Sequence, residues 1–164
     1  MANNFDTLVT AVIDRIEDGF EAGAILWPTN AASLAAITVL AQDYADITTK
    51  INIAIGKIGM LCLINMPDFK NDTPVAPTVN GRIHFVIEVG EQPVIWRDNP
   101  LTKPTAKSVA QIVAQLLQGY LIPGFQPLRV LSGDFSSGKD KANKERQVYS
   151  LNIETLQIFP SVTV

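Results

Sequence analysis

The stretch GRIHFVIEVGEQPVIWRDNPLTKPTAKSVAQIVAQLLQG, residues 81–119, carries two different periods in succession. From Arg82 to Val89 the chain alternates. Ile83, Phe85, Ile87 and Val89 fall on one side, and Arg82, His84, Val86 and Glu88 on the other. Period two marks a strand with one buried face. Gly90 to Pro93 turns the chain, and Val94-Ile95-Trp96 reads as a short further strand ended by Asp98-Asn99-Pro100. From Thr105 to Gln118 the period becomes helical. Ala106, Val109, Ile112, Val113, Leu116 and Leu117 form an apolar stripe, opposed by Lys107, Gln111, Gln115 and Gln118. Thr105 is placed to cap this helix and Gly119 to stop it.

Before this stretch, Phe5, Leu8, Val9, Val12, Ile13 and Ile16 fall at helical spacing. Asn3 or Asn4 is placed to cap that first helix, and Gly19 or Gly23 to end it. Ile25 to Pro28 reads as a short extended piece, because proline disfavours helix at the residue before it. From Ala31 to Gly56 the pattern is again mostly helical, with a break allowed near Asp46 to Thr49. Ile58 to Met66 is nearly unbroken in apolar residues, which suits a strand buried on both faces. Residues 67–81, with Pro67, Pro74 and Pro77 and an Asn80-Gly81 turn signal, read as a long loop. Beyond the central helix, Leu128 to Leu131 reads as a strand, residues 132–146 as a second long loop, and Val148 to Phe159 as a long strand. In the last, Tyr149, Leu151 and Ile153 share one parity and Leu156 and Ile158 the other, so a bulge near Glu154 is expected. The expected architecture is a single domain over 1–164, helical over 1–57, with a sheet-and-helix core over 58–160. Its class is α+β: a mostly antiparallel or mixed sheet of about five strands flanked by helices.

Composition narrows the function classes. The chain has 164 residues, one Cys and one His, so an intrachain disulfide is excluded and zinc would lack its usual nitrogen and sulfur ligands. A net charge of -3 argues against a general nucleic-acid binder. The first basic residue is Arg15, which leaves no positive start for a secretory signal. Pro28-Thr29-Asn30 interrupts the uncharged run 22–42, so no membrane span is expected there. These features point to a soluble intracellular chain with a reduced thiol and no cofactor. Only 18% of residues are charged, against about 25% in globular domains. That deficit is either compositional scatter or the mark of a surface covered by other subunits.

Few motifs carry chemistry. Gly133 to Asp140 nearly matches the phosphate loop G-x-x-x-x-G-K-[ST], but Asp140 replaces the hydroxyl and DKANKERQ lacks the spacing of a packed helix. Lys139, Lys141, Lys144 and Arg146 form a basic cluster broken by Asp140 and Glu145. Such a cluster serves to contact an acidic neighbour, to line a channel that passes DNA, or simply to solvate a loop. His84 has no Ser or Cys nearby in sequence to complete a nucleophilic pair, and Cys62 lies in an apolar run where thiols are inert. An enzyme is therefore the weaker class.

The same 81–119 stretch resembles the core of tail terminator or tail-completion proteins of tailed bacteriophages, the group that includes the minor tail protein U of lambda. The likeness rests on the V-x-E-x-P pattern Val89-Gly90-Glu91-Gln92-Pro93, then Arg97, then the helix that closes on Gly119. Trp96 stands where the family pattern has Asn. By element order the likeness covers roughly residues 50–160. It implies a non-enzymatic virion subunit, made in the host cytoplasm and located at the tail or neck. Such subunits form a ring, usually a hexamer, at the head-proximal end of the tail tube. The implied partners are further copies of itself, the tail tube protein, the head-tail connector protein, and DNA passing through the lumen without sequence-specific binding. Phe135 is the expected apolar anchor of the contacts, with Lys139, Lys141 and Arg146 as polar ones. Glu91, Pro93 and Arg97 come from the family pattern. The rival readings are a tube or baseplate subunit and a cytosolic nucleotide-binding domain or enzyme.

Overall fold

The computed structural model describes residues 4–22, 34–72, 79–97, 103–139 and 144–159. Helix α1 (Asn4–Glu21) is followed by β1 (Thr38–Ala41), helix α2 (Ile47–Ile53) running into a π-turn (Ala54–Ile58), β2 (Met60–Ile64), β3 (Asp68–Asn71), β4 (Val79–Glu91), the one-turn helix α3 (Pro93–Trp96), α4 (Ala106–Leu117), β5 (Arg129–Lys139) and β6 (Glu145–Phe159). The strands form a six-stranded sheet in the order β1-β2-β4-β6-β5, with β3 also on β4. Among the described strand pairs only β1–β2 is parallel. The sheet is therefore mixed and the class is α+β.

β4 organises the sheet, because its alternation selects which face is dry. Ile83, Phe85, Ile87 and Val89 are buried with Leu151 and Ile153 of β6 and Met60, Cys62 and Ile64 of β2. The predicted stripes of α1 (Leu8, Val12, Ile16) and α4 (Val109, Ile112, Val113, Leu117) close over that face. Thr105 caps α4 as expected, its hydroxyl accepting from the Ser108 amide, and Gly119 follows with φ 77°. β2 is buried on both faces, as its unbroken apolar run requires. Leu61 on its far side packs with Ala54 and Ile55 of the π-turn in a small second core.

Four expectations change. Thr38–Ala41 lies inside the stretch expected to be helical (1–57), yet it is a strand paired in parallel with Thr38 opposite Leu61; the neighbouring β2 ladder overrides a local alanine-rich bias. The expected loop 67–81 holds β3 and the start of β4. From Ile64 to Asp68 the chain advances four residues while its partner runs from Ile87 to His84, so β2 and β3 are one strand interrupted by a bulge around Pro67. β3 is short and mostly exposed, with Phe69 its one apolar residue, and gave no period to read. Likewise residues 132–139, expected to lie in a loop, are strand: β5 runs to Lys139 and pairs with β6 from Glu145. As an edge strand exposed along most of its length, it tolerates a Ser/Gly-rich composition that resembles a loop. Val94-Ile95-Trp96 is a helical turn, because Pro93 at its first position has the φ a helix needs.

The expected bulge near Glu154 is also displaced. β6 stays in register with β4 from Gln147 to Phe159. The irregularity sits across from it, between Val130 and Ser132 of β5. Thr155 and Gln157 therefore keep the buried parity and Leu156 is exposed. The Thr155 hydroxyl meets this demand by donating to the Gln126 carbonyl at 2.6 Å. The first helix passes through Gly19 and ends at Glu21. Asn3, Gly23, the extended piece 25–28, Pro74 and Pro77 lie outside the described residues.

Gly59 joins the π-turn to β2 with φ +87°, and a Cβ there would stand 2.5 Å from the Trp96 amide nitrogen. Its carbonyl accepts from the Gln92 amide at 2.8 Å. Gly59→Ala is expected to cost about 2–4 kcal/mol, from left-handed strain and overpacking together. Gly56→Ala, with open space around it, should be neutral or stabilising by up to about 1 kcal/mol. Urea unfolding of the two variants checks the contrast.

Candidate interaction surface at the Glu91–Arg97 junction and the long hairpin

The residues of the V-x-E-x-P…R pattern meet at the end of β4. Pro93 starts α3, whose turn places Arg97 back over Glu91 six residues earlier. Arg97 Nε donates to Glu91 Oε1 at 2.5 Å and Nη2 donates to Oε2 at 3.0 Å. The Ala106 amide, first of α4, donates to the same Oε2 at 2.8 Å. A carboxylate at a helix N-terminus also faces the positive end of the helix dipole. Glu91 is 0% exposed. One buried side chain thus ties the central strand, the turn and the covering helix together. Trp96 supports the junction from below, buried, with its indole N–H donating to the Pro104 carbonyl at 2.7 Å.

Arg97 reaches onward to β6, where Nη2 donates to Gln147 Oε1 at 3.2 Å, and Gln147 Nε2 donates to Glu145 Oε1 at 3.1 Å. This chain ends at the β5–β6 hairpin. There Phe135 is 56% exposed, and its ring centroid is 6.5 Å from that of Tyr149 directly opposite. The Tyr149 ring lies across Gly133, where a Cβ would come within 2.7 Å of it. Arg97, Thr105, Lys107, Phe135, Gln147 and Tyr149 line an open groove of about 570 Å³ between α4 and the hairpin. The groove therefore brings together two sets of residues nominated separately in the sequence. Lys139 is exposed at the end of β5, opposite Glu145. Arg146 is half-buried, and its Nε has no partner among the described residues. Lys141 lies outside the described residues. Gln147 and Tyr149 were missed in the sequence, since nothing local marks Gln147, 50 positions away, as a partner of Arg97, or Tyr149 as the residue opposite Phe135.

The other candidates separate from this surface. Gly133 to Lys139 is extended strand paired with β6 rather than a phosphate-cradling turn, so the nucleotide reading loses its geometry. His84 Nε2 stands 3.3 Å from Glu154, whose carboxylate also meets Arg82 and Arg129 at 3.4 Å each. That network crosses three strands on the sheet face away from α1 and α4, beside a concavity of about 370 Å³. Cys62 is fully buried, and burial pushes its thiol up to about 12. Among the described residues no cluster of three His, Cys, Asp or Glu could hold a metal ion, and no described helix is long and apolar enough to cross a membrane.

Two predictions follow from burial. Arg97→Ala leaves a buried carboxylate without its cation and should cost about 3–5 kcal/mol. Glu91→Gln should cost less, because Arg97 retains a path to water; denaturant titration of both variants orders them. Cys62 should resist alkylation at pH 8 in the native protein and react on unfolding. Because its folded pKa is raised, the thiol favours the fold below its unfolded value of about 8.5. That contribution is lost as pH rises from there toward about 12.

No protein-family model and no curated protein matches the chain. Among solved structures, the fold is similar to that of a chain in the virion of a native gene transfer agent particle. The TM-score is 0.55 with 17% identity, over 92% of this chain and 94% of that one. The two chains share a fold across nearly their whole lengths.

Proposed function

We propose that this chain is a structural subunit of a phage-type virion, and within that class a tail terminator or neck subunit. It forms a closed ring at the head-proximal end of the tail, meets the tube protein on one side and the head connector on the other, and lets DNA pass through its lumen. The observation that carries this reading is the fold likeness to a virion chain over 92% of the sequence. The resemblance of residues 81–119 to tail terminators supports the finer role. The low charge fraction supports a surface shared with neighbours. Heterologous, head-to-tail contacts are the kind that close rings. The residues assigned to contacts are Phe135, Lys139, Lys141 and Arg146 on the hairpin, with Pro93 and Arg97 beside them; Glu91 holds their platform.

Molar mass by light scattering, followed by negative-stain images, tests the role. A ring several times the 17.8 kDa chain mass is expected. Open-ended stacks would favour a tube subunit instead, and a single-chain particle at all concentrations would reject both. Phe135→Ser should leave thermal stability within about 0.5 kcal/mol, as for exposed positions. It should weaken ring assembly by about 2 kcal/mol, the scale of an aromatic anchor at an interface. Melting curves and concentration-dependent mass measure the two effects separately.

A further inference from the structure

The sheet order puts β5 and β1 at opposite edges. The two edges carry opposite charge. At the β5 edge, the hairpin carries Lys139, Lys144 and Arg146 beyond the exposed Phe135, on the side away from Arg129. At the β1 edge, Asp14, Glu17, Asp18 and Glu21 occupy one side of α1, opposite its buried stripe. Asp43 joins them beside Tyr44, just after β1. The proximity is real in space: partial burial, then Asp14, Glu21 and Asp18, hold the Glu17 carboxyl above its ordinary range. Partial burial, then Glu17, Asp43 and Asp14, do the same to the Tyr44 phenol.

Lys50, whose Nζ lies 4.7 Å from the centre of the Tyr44 ring, is a cation at this edge, and it leaves the acids of α1 in excess. Among the described residues none of the four forms an ion pair. Arg15, the cation on the same helix, is turned toward α4, where its Nε donates to the Leu116 carbonyl and its guanidinium lies over Tyr120. The spacing of the acids puts like charges three and four residues apart, which is unfavourable in an isolated helix. The edge also offers apolar surface, with Tyr44 and Ile53 both exposed. One edge is thus basic with an exposed aromatic ring, and the other is acidic with exposed apolar side chains.

We infer that the basic β5–β6 hairpin of one copy docks on the acidic α1–β1 edge of the next copy. This rests on the ring reading above and deepens it by naming the two unlike surfaces that meet. A second copy is the occupant argued for because both halves of a complementary pair are on one chain, facing opposite ways, as a head-to-tail contact requires. The attraction is between partly exposed charges, so salt weakens it.

The test uses three variants of the full chain: Lys139→Glu with Lys144→Glu, Asp14→Lys with Glu17→Lys, and all four substitutions together. Circular dichroism melting checks that each is folded, with Lys139→Gln and Lys144→Gln in reserve for a hairpin that does not tolerate reversal. Light scattering on wild type should give an oligomer, each single-edge reversal a loss toward the 17.8 kDa chain mass, and the fourfold variant a return to the oligomer. The neutral hairpin variant should associate about tenfold more weakly. An oligomer unchanged in the single-edge reversals overturns the inference while leaving the ring intact. Failure of the fourfold variant to recover also overturns it, and assigns the two surfaces to different partners, such as DNA or the tube. A wild type that stays at one chain's mass removes the ring reading itself.

Discussion

A buried carboxylate at the end of the central strand holds this structure in order. Glu91 has no access to water, so its charge must be met inside the protein, and it is met three times. Two bonds come from Arg97 and one from the first amide of α4. Together with one further bond from Arg97, these fix three elements. The Arg97 fork closes the α3 turn, the amide bond fixes where α4 starts, and Arg97's reach to Gln147 ties both to β6. Removing the charge from water is costly unless its geometry and hydrogen bonding are complete, and that requirement makes the junction specific. Residues 92–97 are held by the Glu91–Arg97 pair, and Pro104 by the Trp96 indole N–H.

The junction also sets what the surface can do. With α4 and α1 anchored over one face of the sheet, the hairpin extends beside them as an exposed edge. An edge strand with unpaired backbone groups is a hazard unless charge or a partner covers it. Here it carries Arg129, Asp134 and Lys139, and a single exposed aromatic ring. The aromatic ring is supported by Tyr149, which in turn lies against Gly133. Substituting that glycine would push Tyr149, and with it Phe135, off the groove that Arg97 lines.

Much of the fold was legible in the residues, and the reasons are specific. α1, β4 and α4 each bury one face, so their apolar residues recur with the period of the backbone, and the expected stripes match the core. β2 is buried on both faces and reads as an unbroken apolar run. β1 and β3 were not legible. β1 is four residues long and chosen by its parallel partner, and β3 is short and mostly exposed. The start of β5 reads as a strand through Leu131, but the rest of it, from Ser132, reads as a loop for the same reason: a strand with little buried surface has no hydrophobic period to announce it.

The candidate surface divides the same way. By itself the sequence determined that one face of β4 and one stripe on each long helix must be dry, because period is a local property; Phe135 and the basic run were nominated on the hairpin, and Glu91 and Arg97 only by the resemblance of residues 89–97 to the tail-terminator pattern. The tertiary structure alone decided that Arg97 turns onto Glu91, that Gln147 and Tyr149 complete the groove, and that acidic α1 and the basic hairpin stand at opposite edges of one sheet. Those facts depend on strand order and register, which arise from contacts between residues far apart in the chain, and no local pattern encodes them.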